Sequence, residues 1–286
     1  MNKLNLYLCS FASSDLDLSV NRFFNQASEL SVYNGIKIYR PKDLSENLKK
    51  RISNLFKVGG KNRYYGFDVW RPEIISGCLD SIPENSILQY SDIGNHLNKN
   101  GILRLKDYVS ITEKNNMTVF EYGDPPENMK KYNYKFIKYM EYEYTKGDVI
   151  KYFNLNHDSE IYNSPLIWGG AFFIKKSKFS KNFLNQWHEA NQHTELLDDS
   201  ISKFKNHEKF VGMRGCQSIF SIICKLNKVN KISASECDCG ESEGGRKWDH
   251  LKYYPILAKR DKKYNIFKRF LNRQNKTLKR ILKKFK

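Results

Sequence analysis

Three stretches of the sequence group acidic, basic, aromatic and glycine residues in patterns that could bind a ligand. In Ile87 to Asn95, Ile-Leu-Gln-Tyr-Ser-Asp-Ile-Gly-Asn, an apolar β-prone run ends on a carboxylate, Asp92, with Gly94 at a turn. That places the acid at the C-terminal lip of a strand, where open α/β sheets bind ligands. Oxygen ligands suit hard cations, so Asp92 could hold Mg²⁺ or Mn²⁺ against a diphosphate. The plainer reading is a turn Asp bonded to its own backbone. In the second stretch, Arg63 and Arg71 are planar, permanently charged forks that match phosphate. Tyr64, Tyr65, Phe67 and Trp70 between them offer faces on which a base or sugar ring could stack. A core cluster capped by arginines is the competing reading. In the third, Gly169-Gly170 interrupts the apolar run Leu166 to Ile174 and leaves room for a sugar or acceptor. Tight sheet packing explains the glycines equally well.

These residues need elements to position them. Residues 4–12 read as a strand, Ser19 to Leu30 as a helix with Val20, Phe23, Phe24, Ala27 and Leu30 on one face, and Gly35 to Tyr39 as a second strand. Strand, helix and strand with short connections predict a parallel βαβ unit. A Lys-rich helical stretch around 43–57 and a Gly59-Gly60 break follow. A helix through Ile74, Ile75, Cys78 and Leu79 then leads into the Asp92 strand. Beyond it, Leu103 to Ile111 reads as helix and Thr118 to Tyr122 as strand. Thr145 is the expected N-cap of a further helix, with Asp148 its acidic partner. Helices are expected at Phe179 to Ala190 and Cys216 to Leu226, and a Gly-, Ser- and Glu-rich loop at Cys237 to Lys247, with a mobile flap over Glu241 to Lys247. With no internal repeat or low-complexity linker, the pattern predicts one α/β domain over residues 1–258 and a basic tail over 259–286.

Composition narrows the class. The chain has 286 residues, 40% hydrophobic and 14% aromatic, enough for a full core. No run approaches the roughly 18 apolar residues of a membrane span. Six scattered cysteines and no export signal point to reduced thiols and a cytoplasmic location. The net charge of +18 sits largely in the tail, where thirteen Lys and Arg face one acid from Lys259 onward. The body is only mildly basic and shows no nucleic-acid recognition module, so nucleic acid is not the expected partner.

Several separated blocks carry a family resemblance. Arg22-Phe-Phe-Asn-Gln26-Ala27 is similar to an Arg-x-x-x-Gln-Ala helix, and Arg63 to Pro72 to Arg-Gly-Phe-Gly-Tyr-Trp-x-Trp-Lys-Pro. Tyr90-Ser-Asp92-Ile-Gly94-Asn95 resembles Tyr-x-Asp-x-Gly-Cys, and Thr145-Lys146-Gly-Asp148 resembles Thr-Lys-x-Asp. Arg214-Gly-Cys216-Gln217-Ser218 resembles His-Arg-x-Asp-Gln-Ser. In this order and spacing, residues 4–260 resemble a bacterial family of GT-A-type glycosyltransferases of capsule, lipopolysaccharide and O-antigen synthesis. The resemblance implies a single GT-A domain of Rossmann-like type with a mixed central sheet. It makes Asp92 the anchor for a divalent cation, Mn²⁺ or Mg²⁺, and the diphosphate. It assigns Arg22, Arg63, Trp70, Arg71, Lys146, Asp148, Arg214, Gln217 and Ser218 to the nucleotide-sugar donor. Asp68, Gly169 and Gly170 fall to the sugar or acceptor pocket. His250 is a candidate second metal ligand, against a plainer reading as an exposed loop histidine. Lys146 and Asp148 are equally explained as a capped, solvated helix start.

Two departures bear on the chemistry. Cys216 replaces the family Asp, and a thiol is a poor substitute for an acid at neutral pH. A base would then come from elsewhere, with Asp198, Asp199 and Glu208 the candidates, or activity would be altered or reduced. Asp68 stands where the family has Trp, which implies a changed pocket. Cys237-Asp-Cys239 alone makes no zinc site. The expected activity is transfer of a sugar from a nucleotide-sugar, of UDP-sugar type, to a growing bacterial surface glycan. A noncatalytic glycan- or nucleotide-binding protein of the same fold and a basic nucleic-acid binder are the alternatives.

In the tail, Phe267, Phe270, Leu271, Leu278, Ile281, Leu282 and Phe285 recur at helical spacing opposite Lys and Arg. This pattern predicts an amphipathic helix on an anionic membrane surface, peripheral to the inner leaflet, where a lipid-linked acceptor would lie. A solvated tail, or a helix docked on the body, is the alternative.

Overall fold

The strands nearest the middle of the chain are apolar on both faces, as strands covered by helices on two sides must be. All of Ile87–Ser91 is buried, and so are eight of the nine residues of Ile167–Lys175. The computed structural model describes residues 4–57 and 64–261. Its main sheet has six strands: β1 Leu6–Phe11, β2 Gly35–Tyr39, β3 Ile87–Ser91, β4 Met117–Glu121, β5 Ile167–Lys175 and β6 Asn230–Ser233. They lie in the order β2-β1-β3-β5-β4-β6, and only β5 runs antiparallel to its neighbours. The expected α/β fold with a mixed central sheet is therefore the fold of the chain.

Alternate residues of each strand feed opposite layers. Leu88, Phe172 and Ile174 pack under α2 (Glu46–Lys57), α3 (Arg71–Asp80), α5 (Lys178–Asn191) and α6 (Cys216–Leu226), through Ile52, Ile75, Trp187 and Phe220 among others. Ile87 and Phe173 pack under α1 (Asp17–Leu30) and α4 (Ile102–Asn115), through Phe23, Ala27, Leu105 and Tyr108.

Two irregularities shape the lip of the sheet. Pairing of β4 with β5 jumps from Val119 opposite Phe172 to Phe120 opposite Trp168, so Gly169 to Ala171 bulge out. A Cβ on Gly170 would stand 2.4 Å from the Trp168 ring, so only glycine fits there. The second is a short antiparallel pair, His96–Leu97 with Ile256–Leu257, which brings the end of the body back to the loop after β3. Arg260 and Asp261, beyond the boundary expected at 258, continue along that loop. The Asp261 N–H donates to the Gly94 carbonyl at 2.8 Å.

Two local expectations are corrected. The segment 237–247 is not a plain loop: Gly240–Ser242 and Gly245–Lys247 form a hairpin that pairs with Lys135–Phe136. The sequence hid it because strands of two or three residues have no readable period. Thr145 does not cap the helix Gly147–Tyr152. Its hydroxyl instead donates to Glu141 at 2.5 Å, because that fully buried carboxylate must be satisfied by Thr145, Ser221 and Lys225. Arg63 and residues 262–286, which carry the amphipathic tail pattern, lie outside the described residues.

Candidate active site

The centre of the site is a buried guanidinium. Pro72 starts α3 in its first turn, and Arg71 just before it is only 4% exposed. Its Nη2 donates to Asp68 Oδ2 at 3.0 Å and to Asp92 Oδ1 at 3.2 Å. Asp92 Oδ1 also accepts from the Tyr90 hydroxyl at 2.7 Å. Burial works against the charge on Arg71, but Tyr90, Asp68 and Asp92 outweigh it and raise its pKa well above the ordinary value. Burial, opposed by Arg71, pushes the Tyr90 phenol well up, so it stays a donor. Arg71 Nε is buried and has no hydrogen-bond partner.

The backbone before α3 is arranged to present Asp68. Tyr65, Gly66, Phe67 and Asp68 all have positive φ, at 48°, 72°, 55° and 60°. Each non-glycine residue there costs on the order of 1–2 kcal/mol, which the surrounding packing must offset. Trp70, expected to offer a free face, stacks on Phe11 with ring centroids 4.0 Å apart, and its Nε1 donates to the Tyr65 carbonyl. It is 4% exposed, so the packed-cluster reading describes Trp70.

The bulge forms the opposite wall. The Asp92 N–H and Asn95 Nδ2 both donate to the Gly170 carbonyl at 2.8 Å, locking the β3 lip to β5. A Cβ on Gly169 would meet Arg71 Nη1 at 3.1 Å and Gln217 Cγ at 3.2 Å. The absent side chain thus joins Arg71 and Gln217 in one space. Gln217 Nε2 is buried there without a partner. Ser218 and Arg214 set the start of α6: the Arg214 N–H donates to Ser218 Oγ, which donates to the Tyr144 carbonyl. The Arg214 guanidinium lies over Tyr144 at 4.0 Å and Tyr139 at 4.5 Å. Cys216 is fully buried beside Asn191, with Nδ2 to Sγ at 3.3 Å. Burial pushes its thiol up to about 12 despite the pull of Arg71, so it is neutral at pH 7.

Other expected residues serve the frame. Arg22 donates to the carbonyls of Asn95 and Ile93 at 2.7 Å each, and so holds the loop that follows Asp92. Lys146 donates to the Glu195 carbonyl at 2.8 Å, with Asp198 at 3.6 Å, and Asp148 accepts from the Lys203 and Phe204 N–H groups. Lys146, Asp148 and Asp198 thus pin the 195–204 loop as one cluster. Asp199 and Glu208 are exposed. His250 is not an exposed loop residue. It is 3% exposed, packed edge-on against Tyr132, Tyr134 and Phe136, with Nε2 at 3.1 Å from the Asp238 carbonyl.

Among the described residues, no group of three or more His, Cys, Asp and Glu side chains could hold a metal ion. Asp92 still suits a cation bound mostly by substrate. Its side chain is 40% exposed, and both of its hydrogen bonds fall on Oδ1, which leaves Oδ2 for a hard ion that takes its other ligands from phosphate and water.

Three contributors went unread in the sequence. Tyr90 and Asn95 both stood in the Asp92 motif, but a strand residue and a turn Asn gave no sign of their bonds. Arg260 was masked by the basic tail. It donates to Asp238 Oδ2 at 2.7 Å, and its backbone lies against Gly94.

No family model matches the sequence, and no curated protein does. Solved structures similar to the chain include glycosyltransferases. One is a glycosyltransferase involved in the glycosylation of the major capsid of PBCV-1, aligned over 88% of this chain and 91% of that one at 11% identity and a TM-score of 0.44. Another is mouse xyloside xylosyltransferase 1, over 82% and 87% at 9% identity and a TM-score of 0.39. The WbbM bifunctional glycosyltransferase aligns over 90% of this chain and 46% of its own at 10% identity and a TM-score of 0.46.

Proposed function

We propose that this chain is a glycosyltransferase that moves a sugar from a nucleoside-diphosphate donor, of UDP-sugar type, to a growing bacterial surface glycan. The observation that carries this reading is the Arg71 clamp: a buried, fixed cation with an unpartnered Nε, tied to Asp92 at the lip of β3 and opening on the Gly169 gap. Four of the sequence blocks that resemble the family, those holding Arg22, Arg71, Asp92 and Gln217, meet around this lip.

The donor diphosphate lies at the lip, where Arg71 faces the negative charge that grows on the leaving group. A preorganised cation in a water-poor site stabilises such charge more than water can. Asp92 Oδ2 would hold a divalent cation, which supplies Lewis-acid neutralisation of the same phosphates. Gln217 Nε2 is placed to donate to a sugar hydroxyl across the Gly169 gap. Arg22 keeps the Asp92 loop in position from behind. Of the expected bases, Asp198 is half-buried and engaged with Lys146 and Ser200, while Asp199 and Glu208 are exposed.

Titration of the chain and of Asp92→Ala with UDP and Mn²⁺ tests the site. Loss of at least about tenfold in affinity is expected, and unchanged binding would sink the assignment. The buried, neutral Cys216 in place of a family acid favours one second reading, a noncatalytic binder of nucleotide or glycan. Release of nucleotide from a panel of UDP-sugars by the purified chain rules that out. Peripheral attachment through the basic tail belongs to the same proposal, and among the described residues no helix is long and apolar enough to cross a membrane.

A further inference from the structure

A cavity of about 570 Å³ lies between the segment 134–139 and the hairpin 240–247. That volume is in the range of small-ligand sites, which span roughly 300–1,000 Å³. Tyr134, Phe136 and Tyr139 line it, all half-buried. A Cβ on Gly240 would stand 2.6 Å from the Tyr134 Cβ, so the hairpin approaches this wall closely only because residue 240 is glycine. Tyr134 and Phe136 pack against buried His250, which leaves Tyr139 as the aromatic surface suited to the apolar face of a sugar ring.

The remaining lining is charged and unbalanced. Lys135, Lys138 and Arg246 face it with one acid, Glu241, and all four are exposed. Glu241 lies in register with Lys135 on one side and Arg246 on the other, so two cations flank it across the small sheet. Lys138 also pairs with Asp124. An excess of positive charge faces the ligand.

One wall residue of the cavity, Tyr139, also touches Arg214. Tyr139 lies 4.5 Å from the Arg214 guanidinium. Arg214 opens the turn that carries Gln217, and Gln217 stands beside Arg71 at the Gly169 gap. A molecule seated between Lys135 and Arg246 and extended past Tyr139 would approach Arg214.

We propose that this groove is the acceptor site and that it selects an anionic saccharide, one bearing carboxylate or phosphate groups. The proposal rests on the transferase reading for the word acceptor, and its charge selection is testable alone. Calorimetric titration of the full chain with tri-galacturonate, galactotriose and a phosphorylated galactotriose separates the cases, since the first two differ at carbon 6. The charged probes should bind at least about tenfold more tightly than the neutral one, and the stronger of the two identifies the source of the charge. Lys135→Ala with Arg246→Ala should erase the preference while UDP affinity holds, and Lys135→Arg with Arg246→Lys should keep it. Equal or absent binding of charged and neutral probes overturns the proposal, as does displacement of the saccharide by UDP. A chain that discriminates among saccharides yet binds no UDP overturns the transferase reading instead, leaving the groove an anionic-glycan site.

Discussion

Arg71 shows how one side chain can define a site. At 4% exposure it has lost its hydration, and a buried charge survives only with counter-charges and hydrogen bonds around it. Asp68 and Asp92 share that task through a single nitrogen, Nη2, which leaves Nε without a partner. A buried donor left open in this way is costly unless a ligand completes it. Asp68→Asn removes one of the two counter-charges. A loss of about 1–3 kcal/mol in stability is expected, read as a lower Tm. Addition of UDP should recover a larger Tm shift in the variant than in the parent, because phosphate replaces the missing charge. An equal shift in both would show that Asp68 is packing only. The thiol of Cys216 takes no such part: at about 12 its pKa keeps it neutral, and it supplies neither base nor nucleophile at pH 7.

Among the elements, the β5 bulge does most to build the site. It gives up pairing with β4 over Gly169 to Ala171, and on the β3 side its Gly170 carbonyl ties down Asp92 and Asn95. Gly170→Ala would drive a Cβ into the Trp168 ring, so a cost of about 1–3 kcal/mol and a weakened UDP affinity are expected together. Gly169→Ala differs in kind. Its Cβ meets Arg71 Nη1 at 3.1 Å and Gln217 Cγ at 3.2 Å, contacts that a shift of a few tenths of an ångström relieves, so Tm should fall less than in Gly170→Ala while donor binding falls. If Gly169→Ala unfolds the chain and Gly170→Ala does not, the roles are reversed. The glycine pair was visible in the sequence as an interruption of an apolar run, and so was the acid at the end of β3. The main helices and strands were readable too, because each is long enough to show its period. The antiparallel direction of β5 was not, since pairing partners distant in sequence decide it. Asp68 was singled out as a pocket residue, but the left-handed turn that presents it to Arg71 was hidden: nothing in Tyr-Tyr-Gly-Phe-Asp announces four positive φ values in a row.

At the scale of the molecule, the end of the body and the lip of the sheet are one structure. Ile256–Leu257 pairs with His96–Leu97, the Asp261 N–H bonds Gly94, and the Asp261 carboxylate meets His96 Nε2 at 3.1 Å. Arg22 holds the same loop from α1, and Arg260 reaches across to Asp238. The basic tail therefore begins beside the Asp92 loop. A tail drawn to an anionic surface would bring the site to that surface with it, at up to about 1 kcal/mol per basic residue close to the lipid. Two truncations separate the roles. A chain ending at Asp261 keeps the strap and should bind UDP as the full chain does, but lose its sedimentation with vesicles containing anionic lipid. A chain ending at Leu257 also loses Arg260 and Asp261, and UDP affinity should fall at least about tenfold as the Asp92 loop loosens. If the longer truncation binds UDP like the full chain, residues 258–261 are no part of the site's support. If the shorter one still sediments with anionic vesicles, the charge that meets the membrane lies on the body.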